Sequence, residues 1–231
     1  MYDCDIVVDL EFTPAARKAC ASYPRNEVIE IGAVRLGCQH EIADTFECRV
    51  KPEYATDVAP FVTRLTGIHT EDLTKAPTFG EALPEFSAWI GDCHARMVCW
   101  DMVDRDQIRG EASAKEVAVP KNMRRWFDLQ KVYPRVMNAD TREGRMALRT
   151  AAAWYGIDVD DRKAHRVLYD AQVTAQLMQS LLTGAYREQL RALGTTRIMS
   201  RRAPATARLD DLCGGKLDHL KLLLASEGEA A

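Results

Sequence analysis

The stretch "DIVVDLEFTP" (residues 5–14) decides the fold, because it is an apolar run that carries two acidic side chains. Asp9 and Glu11 are two residues apart, and successive side chains of a β-strand point to opposite faces of its sheet. The two carboxylates therefore share one face, where like charges repel unless a cation lies between them. Two interpretations are open at this point: a half-exposed strand with a polar face, or one half of a metal site.

The composition of the 231-residue chain favours one α/β domain with an appendage, or at most two small domains. Hydrophobic residues make up 47% of the chain, which is enough for a core, and charged residues make up 28%. No apolar run approaches the roughly 20 residues of a membrane helix, and the first residues lack a signal-peptide pattern. We therefore expect a cytoplasmic protein with no membrane contact. With a net charge of −3, a nucleic-acid partner would need a local site.

The seven cysteines are scattered without the spacing of a disulfide framework, which is typical of a reducing compartment. Cys93, His94 and Cys99 are close in sequence but have no second pair of ligand residues nearby. Zinc sites with paired ligands need that second pair, so the sequence does not predict zinc here.

The pattern of apolar residues predicts the order of strands and helices. Residues 27–36 and 41–50 read as strands joined by the turn "GCQH" into a hairpin. Thr78 is a predicted N-cap of a helix, and short strands follow at "RMVCW" and "WFDLQKVY". Two helical patterns come next, the first closed by Gly156. A hairpin followed by alternating strands and helices predicts an α/β domain with a mixed five-stranded sheet flanked by helices.

The composition changes after about residue 184. We predict a domain over residues 1–185 and a partly helical C-terminal tail over residues 186–231. The tail either packs one helix on the domain or contacts phosphates through its arginines, which are Arg197, Arg201, Arg202 and Arg208.

Acidic residues and one histidine recur at the ends of the predicted strands. Asp9 and Glu11 end the first strand, where α/β sheets place their sites, and "CWDMVDRDQI" again follows a strand. His165 and Asp170 are five residues apart, about 500° around a helix, so they cannot share one helical face. We therefore expect His165 in the loop before a helix and Asp170 in its first turns. A neutral imidazole in such a site is the expected general base near pH 7.

Five segments together carry a family resemblance: "DLEFT", "NEVIEIGAV", "LTGI", "WDMVDRDQI" and "HRVLYDA", in this order. Over roughly residues 3–185 the chain resembles the DEDDh 3′-to-5′ exonucleases, the ribonuclease-T-like superfamily. It is most similar to the ERI-type branch, which includes a sporulation-kinase-pathway inhibitor. The resemblance implies a ribonuclease-H-like fold for an exonuclease domain over residues 1–185.

The resemblance also implies the roles of the site residues. Asp9, Glu11 and Asp170 match acidic ligands of two Mg²⁺ ions, with Mn²⁺ as a substitute, and His165 matches the base. Glu11 counts among the catalytic residues as well as among the ligands. For the remaining acid we predict Asp104, which has Ile108 four residues later; the alternative is Asp101, which follows the aromatic Trp100.

The resemblance finally implies the reaction and the substrate. We expect removal of nucleoside 5′-monophosphates from single-stranded 3′ ends, with RNA favoured over DNA because many DNA-directed relatives carry Thr-Thr-Gly after the Asp-x-Glu. One metal would activate the water that the base deprotonates, and the second would stabilise the leaving 3′ oxygen. The alternatives are a DNA proofreading or repair exonuclease and a non-catalytic binding module. The residues expected to border the terminal nucleotide are Leu10, Phe12, Thr13 and Trp100.

Overall fold

A computed structural model describes residues 2–15, 25–131 and 146–183, so the predicted tail over residues 186–231 lies outside the described residues. The strands are β1 (Cys4–Pro14), β2 (Asn26–Leu36), β3 (Ile42–Arg49), β4 (Ala95–Cys99) and β5 (Trp126–Asp128). The helices are α1 (Pro60–Thr66), α2 (Phe79–Ile90), α3 (Val103–Ala114), α4 (Leu148–Trp154) and α5 (Val167–Thr183). Short 3₁₀ turns cover Thr70–Leu73, Lys121–Met123 and Asp161–Lys163.

The strands form one five-stranded mixed sheet in the order β3-β2-β1-β4-β5. β2 and β3 pair antiparallel as a hairpin, and β1 pairs antiparallel with β2. β1 pairs parallel with β4, and β4 parallel with β5. The predicted mixed sheet and the predicted hairpin are therefore confirmed.

One face of the sheet forms the main core with α2. Ile6 and Val8 of β1 lie in the same buried cluster as Phe79, Leu83 and Phe86 of that helix. Its start is capped as predicted at Thr78: the Glu81 carboxylate accepts hydrogen bonds from the Thr78 N–H at 2.8 Å and from the Thr78 hydroxyl at 2.9 Å. This capping box satisfies donors that the first turn would otherwise leave unpaired.

A β-bulge interrupts the pairing of β1 with β2 next to Glu11. Glu11 pairs with Glu30 and Phe12 with Val28, so Ile29 is the extra residue of the bulge. Ile29 joins a second apolar cluster around α1, with Val58, Val62, Ile68 and Leu73. A bulge releases backbone groups from the ladder, and here the Val28 N–H donates to the Glu111 carboxylate of α3 at 2.8 Å.

A buried lysine joins three carboxylates behind this bulge, and we call the group the Lys115 cluster. The Lys115 Nζ lies 2.8 Å from carboxylate oxygens of Glu27, Glu53 and Glu111. The Glu27 carboxylate also accepts the backbone N–H groups of Glu53, Tyr54 and Ala55 at 2.6–2.9 Å. Burial alone would lower the pKa of Lys115, but the carboxylates outweigh it and raise that pKa above its ordinary value. The cluster ties the segment after β3 to the start of β2 and to α3.

The chain divides into two compact units, the first made of residues 1–128 and 162–175, the second of residues 129–161 and 176–231. In the second unit, α4 ends as predicted before Gly156, whose φ of 69° lies in the left-handed region. There the Gln130 side chain donates to the Met146 carbonyl at 2.8 Å. The predicted boundary near residue 185 stays a prediction. Within the described part of the chain, no helix is long and apolar enough to cross a membrane.

Candidate active site

Asp9 and Glu11 lie on the half of β1 that extends beyond its pairing with β4. That pairing covers Cys4–Val7 of β1 and Ala95–Val98 of β4. Both acidic residues are half-buried. On the side of β2, Asp9 lies opposite Gly32 and Glu11 opposite Glu30. Directly opposed residues of antiparallel strands share a face, so all four positions lie on one face of the sheet.

The start of α5 packs against this face at Gly32. A Cβ atom added to Gly32 would lie 2.7 Å from the backbone N of Leu168 and from the backbone C of Val167. Any side chain here would force the helix away from the sheet, so glycine permits the close approach. Because Gly32 is the partner of Asp9, the first turn of α5, which contains Asp170, lies beside the acidic half of β1.

His165 precedes α5, as the spacing predicts. Its backbone has a φ of 62°, in the left-handed region that histidine adopts more readily than most residues. The His165 N–H donates to the Asp170 carboxylate at 3.0 Å, and the Asp170 N–H donates to the Arg166 carbonyl at 2.9 Å. The expectation of a loop histidine before a helix with Asp170 in its first turn is therefore confirmed.

Asp101 and Asp104 have different local roles at the end of β4. The Asp101 carboxylate accepts the Val103 N–H at 2.6 Å and so caps the start of α3. Asp104 lies in the first turn of α3 and is only 8% exposed. Asp104 is thus the more buried of the two aspartates, and it stays the predicted fourth acid of the site.

The pKa of the Cys99 thiol reflects the negative charge at this edge of the sheet. Burial raises the pKa of this thiol, and the negative charges of Asp104, Asp128 and Asp101 raise it further. Asp128 pairs with Cys99 in the parallel ladder and is itself buried. Several carboxylates therefore surround the carboxyl end of β4.

The residues expected to border a nucleotide are largely buried. Leu10 belongs to the core, and Trp100 is 9% exposed. Thr13 is fully buried, and its hydroxyl oxygen accepts the Ala59 N–H at 3.0 Å. For Leu10 and Thr13 a contact with substrate would have to come from the backbone. Phe12, near the end of β1, is half-buried and packs against the main core.

Glu30 of β2 is a further acidic residue beside the predicted site. It is 7% exposed, lies opposite Glu11, and forms an ion pair with Arg49 at 3.7 Å. Burial raises the pKa of Glu30, and the charge of Glu47 raises it further, while Arg49 and Arg166 oppose this. The signal in the sequence is an acid within the otherwise apolar run "VIEIGAV".

The donor set suits a hard divalent cation, since it consists of carboxylate oxygens. Asp9, Glu11, Asp104 and Asp170 all lie in the first compact unit. Among the described residues no three histidine, cysteine or acidic side chains are already arranged as a metal-binding group. Mutual repulsion opposes such an arrangement, so we expect the cation itself to draw the carboxylates together.

Comparison with known proteins assigns the family. The sequence profile of the Exonuclease family (RNase_T) matches residues 6–178. ERI1 exoribonuclease 2 of Danio rerio is 28% identical in a 200-residue alignment that covers 77% of this chain and 35% of that protein, so the chain spans about a third of it. DNA polymerase III subunit epsilon of Aquifex aeolicus is 27% identical in a 186-residue alignment that covers 77% of this chain and 79% of the subunit.

A solved structure shows the same fold. The nuclease domain of 3'hExo, a DEDDh family member bound to rAMP, is 25% identical and superimposes with a TM-score of 0.67, covering 80% of this chain and 94% of that domain. The mixed sheet and its flanking helices thus match the predicted ribonuclease-H-like architecture. The chain belongs to the exonuclease family, within the DEDDh 3′-to-5′ superfamily.

Proposed function

We propose that this chain is a metal-dependent 3′-to-5′ exonuclease that releases nucleoside 5′-monophosphates from single-stranded 3′ ends. One observation carries the proposal: Gly32, the ladder partner of Asp9, lets the turn of α5 that bears Asp170 lie against the acidic strand. Asp9 and Asp170, which are 161 positions apart in the chain, thereby lie on the same side of the sheet. His165 lies in the turn just before that helix, which supports its proposed role.

The metal ligands that we propose are Asp9, Glu11, Asp104 and Asp170. The family depends on divalent ions, and carboxylate oxygens are the ligands that Mg²⁺ prefers. When bound, two Mg²⁺ ions would supply an activated water and stabilise the leaving oxygen. Mn²⁺ has similar ligand preferences and should substitute.

His165 is proposed as the general base. Its backbone is fixed on both sides, by its own N–H bond to the Asp170 carboxylate and by the Arg166 carbonyl that begins α5. A neutral imidazole placed in this way accepts the proton of the attacking water near pH 7. Glu11 of β1 would help to orient that water.

RNA is the proposed substrate in preference to DNA. The relatives named above include an exoribonuclease and a DNA polymerase subunit, so they do not decide between the two. A local pocket for a few terminal nucleotides suits a chain with a net charge of −3 better than a broad duplex-binding face does. Phe12, which is only half-buried, is the candidate for stacking on a terminal base.

The test uses end-labelled single strands of one sequence, as RNA and as DNA, at fixed salt with Mg²⁺ or with EDTA. We expect stepwise shortening from the 3′ end with Mg²⁺, faster for RNA. Full activity in EDTA would refute the metal mechanism. Equal rates would indicate a nonselective exonuclease, a DNA preference would favour proofreading or repair, and binding without hydrolysis would favour a non-catalytic module.

A further inference from the structure

Two cysteines meet at the end of β1 opposite to the acidic residues. Cys4 begins the strand, and Cys93 lies in the segment just before β4. Their sulfur atoms are 3.0 Å apart although 89 positions separate them in the chain. Cys4 is 8% exposed, while Cys93 is half-buried and therefore more accessible.

The backbone fixes both cysteines in place. The Asp3 N–H donates to the His94 carbonyl at 3.0 Å, and the His94 N–H donates to the Asp3 carboxylate at 2.8 Å. Cys4 is also the ladder partner of Ala95. The two sulfur atoms thus need no rearrangement of the main chain to come together.

The immediate surroundings favour sulfur chemistry over metal binding. Cys93 donates to the Ile90 carbonyl at 3.2 Å, and the Arg35 guanidinium approaches the Cys93 sulfur at 3.9 Å. The neighbouring His94 ring packs at a tilt against the Tyr2 ring, with an interplanar angle of 32° and ring centroids 4.9 Å apart. Within the described ranges, no third cysteine, histidine or acid completes a metal group here. A pair of thiols in contact has oxidation to a disulfide as its characteristic reaction.

We propose that Cys4 and Cys93 are an oxidation site that a hydroperoxide converts to a disulfide. The Cys93 thiolate attacks a peroxide oxygen, the O–O bond breaks, and Cys93 becomes a sulfenic acid as hydroxide or alkoxide leaves. The Cys4 sulfur then attacks the Cys93 sulfur. The S–O bond breaks, and the hydroxyl group leaves with the Cys4 proton as water. In total the two thiols lose two hydrogen atoms and the hydroperoxide is reduced.

The order of attack follows from the two environments. Burial raises the pKa of Cys4 to about 12, and the hydrogen bond and charge of Cys93 add to this. Cys4 therefore stays protonated near pH 7, and the oxidant meets the more accessible Cys93 first. Cys4 resolves the sulfenic acid because its sulfur is already in contact.

A disulfide here would secure the pairing of β1 with β4. The two strands pair over Cys4–Val7 and Ala95–Val98, and Arg96 clamps Asp5 within that stretch at 2.6 and 3.0 Å. The acids of the proposed site lie beyond this stretch, on the second half of β1 and on the helix α3 that follows β4. The link would also close a long loop in the unfolded chain, so we expect the melting temperature to rise by about 5–15 °C.

The test treats the full chain with a few equivalents of hydrogen peroxide and maps the cross-linked peptides by mass spectrometry. We expect one peptide pair, which joins Cys4 to Cys93. The melting temperature of the treated chain should be higher, and a reducing agent should return it to the value of the untreated chain. Cys93→Ser should abolish both effects, whereas Cys38→Ser, which removes an exposed cysteine, should keep them.

Three results would overturn the proposal: Cys93 oxidised without a link to Cys4, a link from Cys93 to another cysteine, or a Cys4–Cys93 link without a change in melting temperature. The mapping on the unaltered chain does not depend on whether the Cys93→Ser variant folds. Neither readout is nuclease activity, so the result stands apart from the proposed function.

Discussion

Two groups of carboxylates lie in the same compact unit and differ in what balances their charge. In the Lys115 cluster, a buried lysine lies 2.8 Å from each of three glutamates. In the proposed site, the group Asp9, Glu11, Asp104 and Asp170 is assigned to an exchangeable divalent cation. The first group has its cation built into the chain and is suited to structure. The second would take its cation from solution and is suited to chemistry.

Removing an acid from the proposed site should have the largest effect. Asp9→Ala should abolish hydrolysis, since it removes a proposed metal ligand. It should also abolish the stabilisation by Mg²⁺, which for the unaltered chain is about 2.7 kcal/mol at 100 times Kd, or about 5–10 °C. Nuclease assays and thermal melts with and without Mg²⁺ measure both effects.

The matched control for Asp9→Ala is Asp106→Asn. Asp106 lies on α3 with its side chain 63% exposed and paired with Arg105. The Asp106→Asn variant should match the unaltered chain both in nuclease activity and in its stabilisation by Mg²⁺. If Asp9→Ala keeps either property, Asp9 is not a ligand.

A second test separates the two aspartates after β4. Asp104→Asn should lose nearly all turnover, because the buried carboxylate would no longer carry charge. Asp101→Asn should retain much of it, because an amide oxygen can still accept the Val103 N–H that Asp101 now binds. Steady-state rates on one oligonucleotide decide the matter, and the reverse pattern would assign the ligand to Asp101.

A third test addresses the base. His165→Asn should lower the rate by a factor of about 10²–10⁴, the usual contribution of a positioned base. Asparagine also tolerates the left-handed backbone at this position, so the turn should persist. The rate of the unaltered chain should fall at acidic pH, where a protonated imidazole cannot accept a proton. Wild-type rate with an intact Mg²⁺ response would make His165 a structural residue.

A substitution in the Lys115 cluster should have the smallest effect on hydrolysis and a clear effect on stability. Lys115→Met leaves buried carboxylates unpaired, which costs about 3–5 kcal/mol. Thermal melts should show the loss, with the Mg²⁺ response retained. Glu53→Gln is the control, because the Glu53 side chain is 41% exposed and should contribute far less.

The pH dependence of the same cluster follows from the raised pKa of Lys115. A group whose pKa is higher in the folded than in the unfolded chain stabilises the folded state. This stabilisation is complete at pH values below the unfolded pKa, and it is lost as the pH rises through the folded pKa. The contribution of Lys115 should therefore be constant below its ordinary value of 10.5 and decline above it. A Lys115→Met penalty that grows instead between pH 9 and pH 6 would contradict this account.

Much of the fold could be predicted because its signals are local. The β2–β3 hairpin, the N-cap at Thr78 and the left-handed Gly156 each follow from a few neighbouring residues. For the site, the spacing of His165 and Asp170 was enough to place the histidine before the helix.

The remaining features depend on residues far apart in the chain. The pairing of Glu27 with Lys115 joins positions that no periodicity relates. Thr13 could be assigned to substrate from its place after Glu11, but its hydroxyl oxygen accepts the Ala59 N–H. The contact of Cys4 with Cys93 likewise depends on the pairing of β1 with β4, which the sequence does not specify. Such contacts appear only once the topology is known.

The close approach at Gly32 bears on how rigidly the site is held. With no side chain between them, the backbones of β2 and α5 are in direct van der Waals contact at this position. A helix separated from a sheet by long side chains can shift as those side chains change rotamer, whereas backbone in contact with backbone has no such freedom. The main chain that carries Asp170 is thus held at a fixed distance from the strand that pairs with Asp9, so a bound cation would have to move only the carboxylate side chains and not the helix.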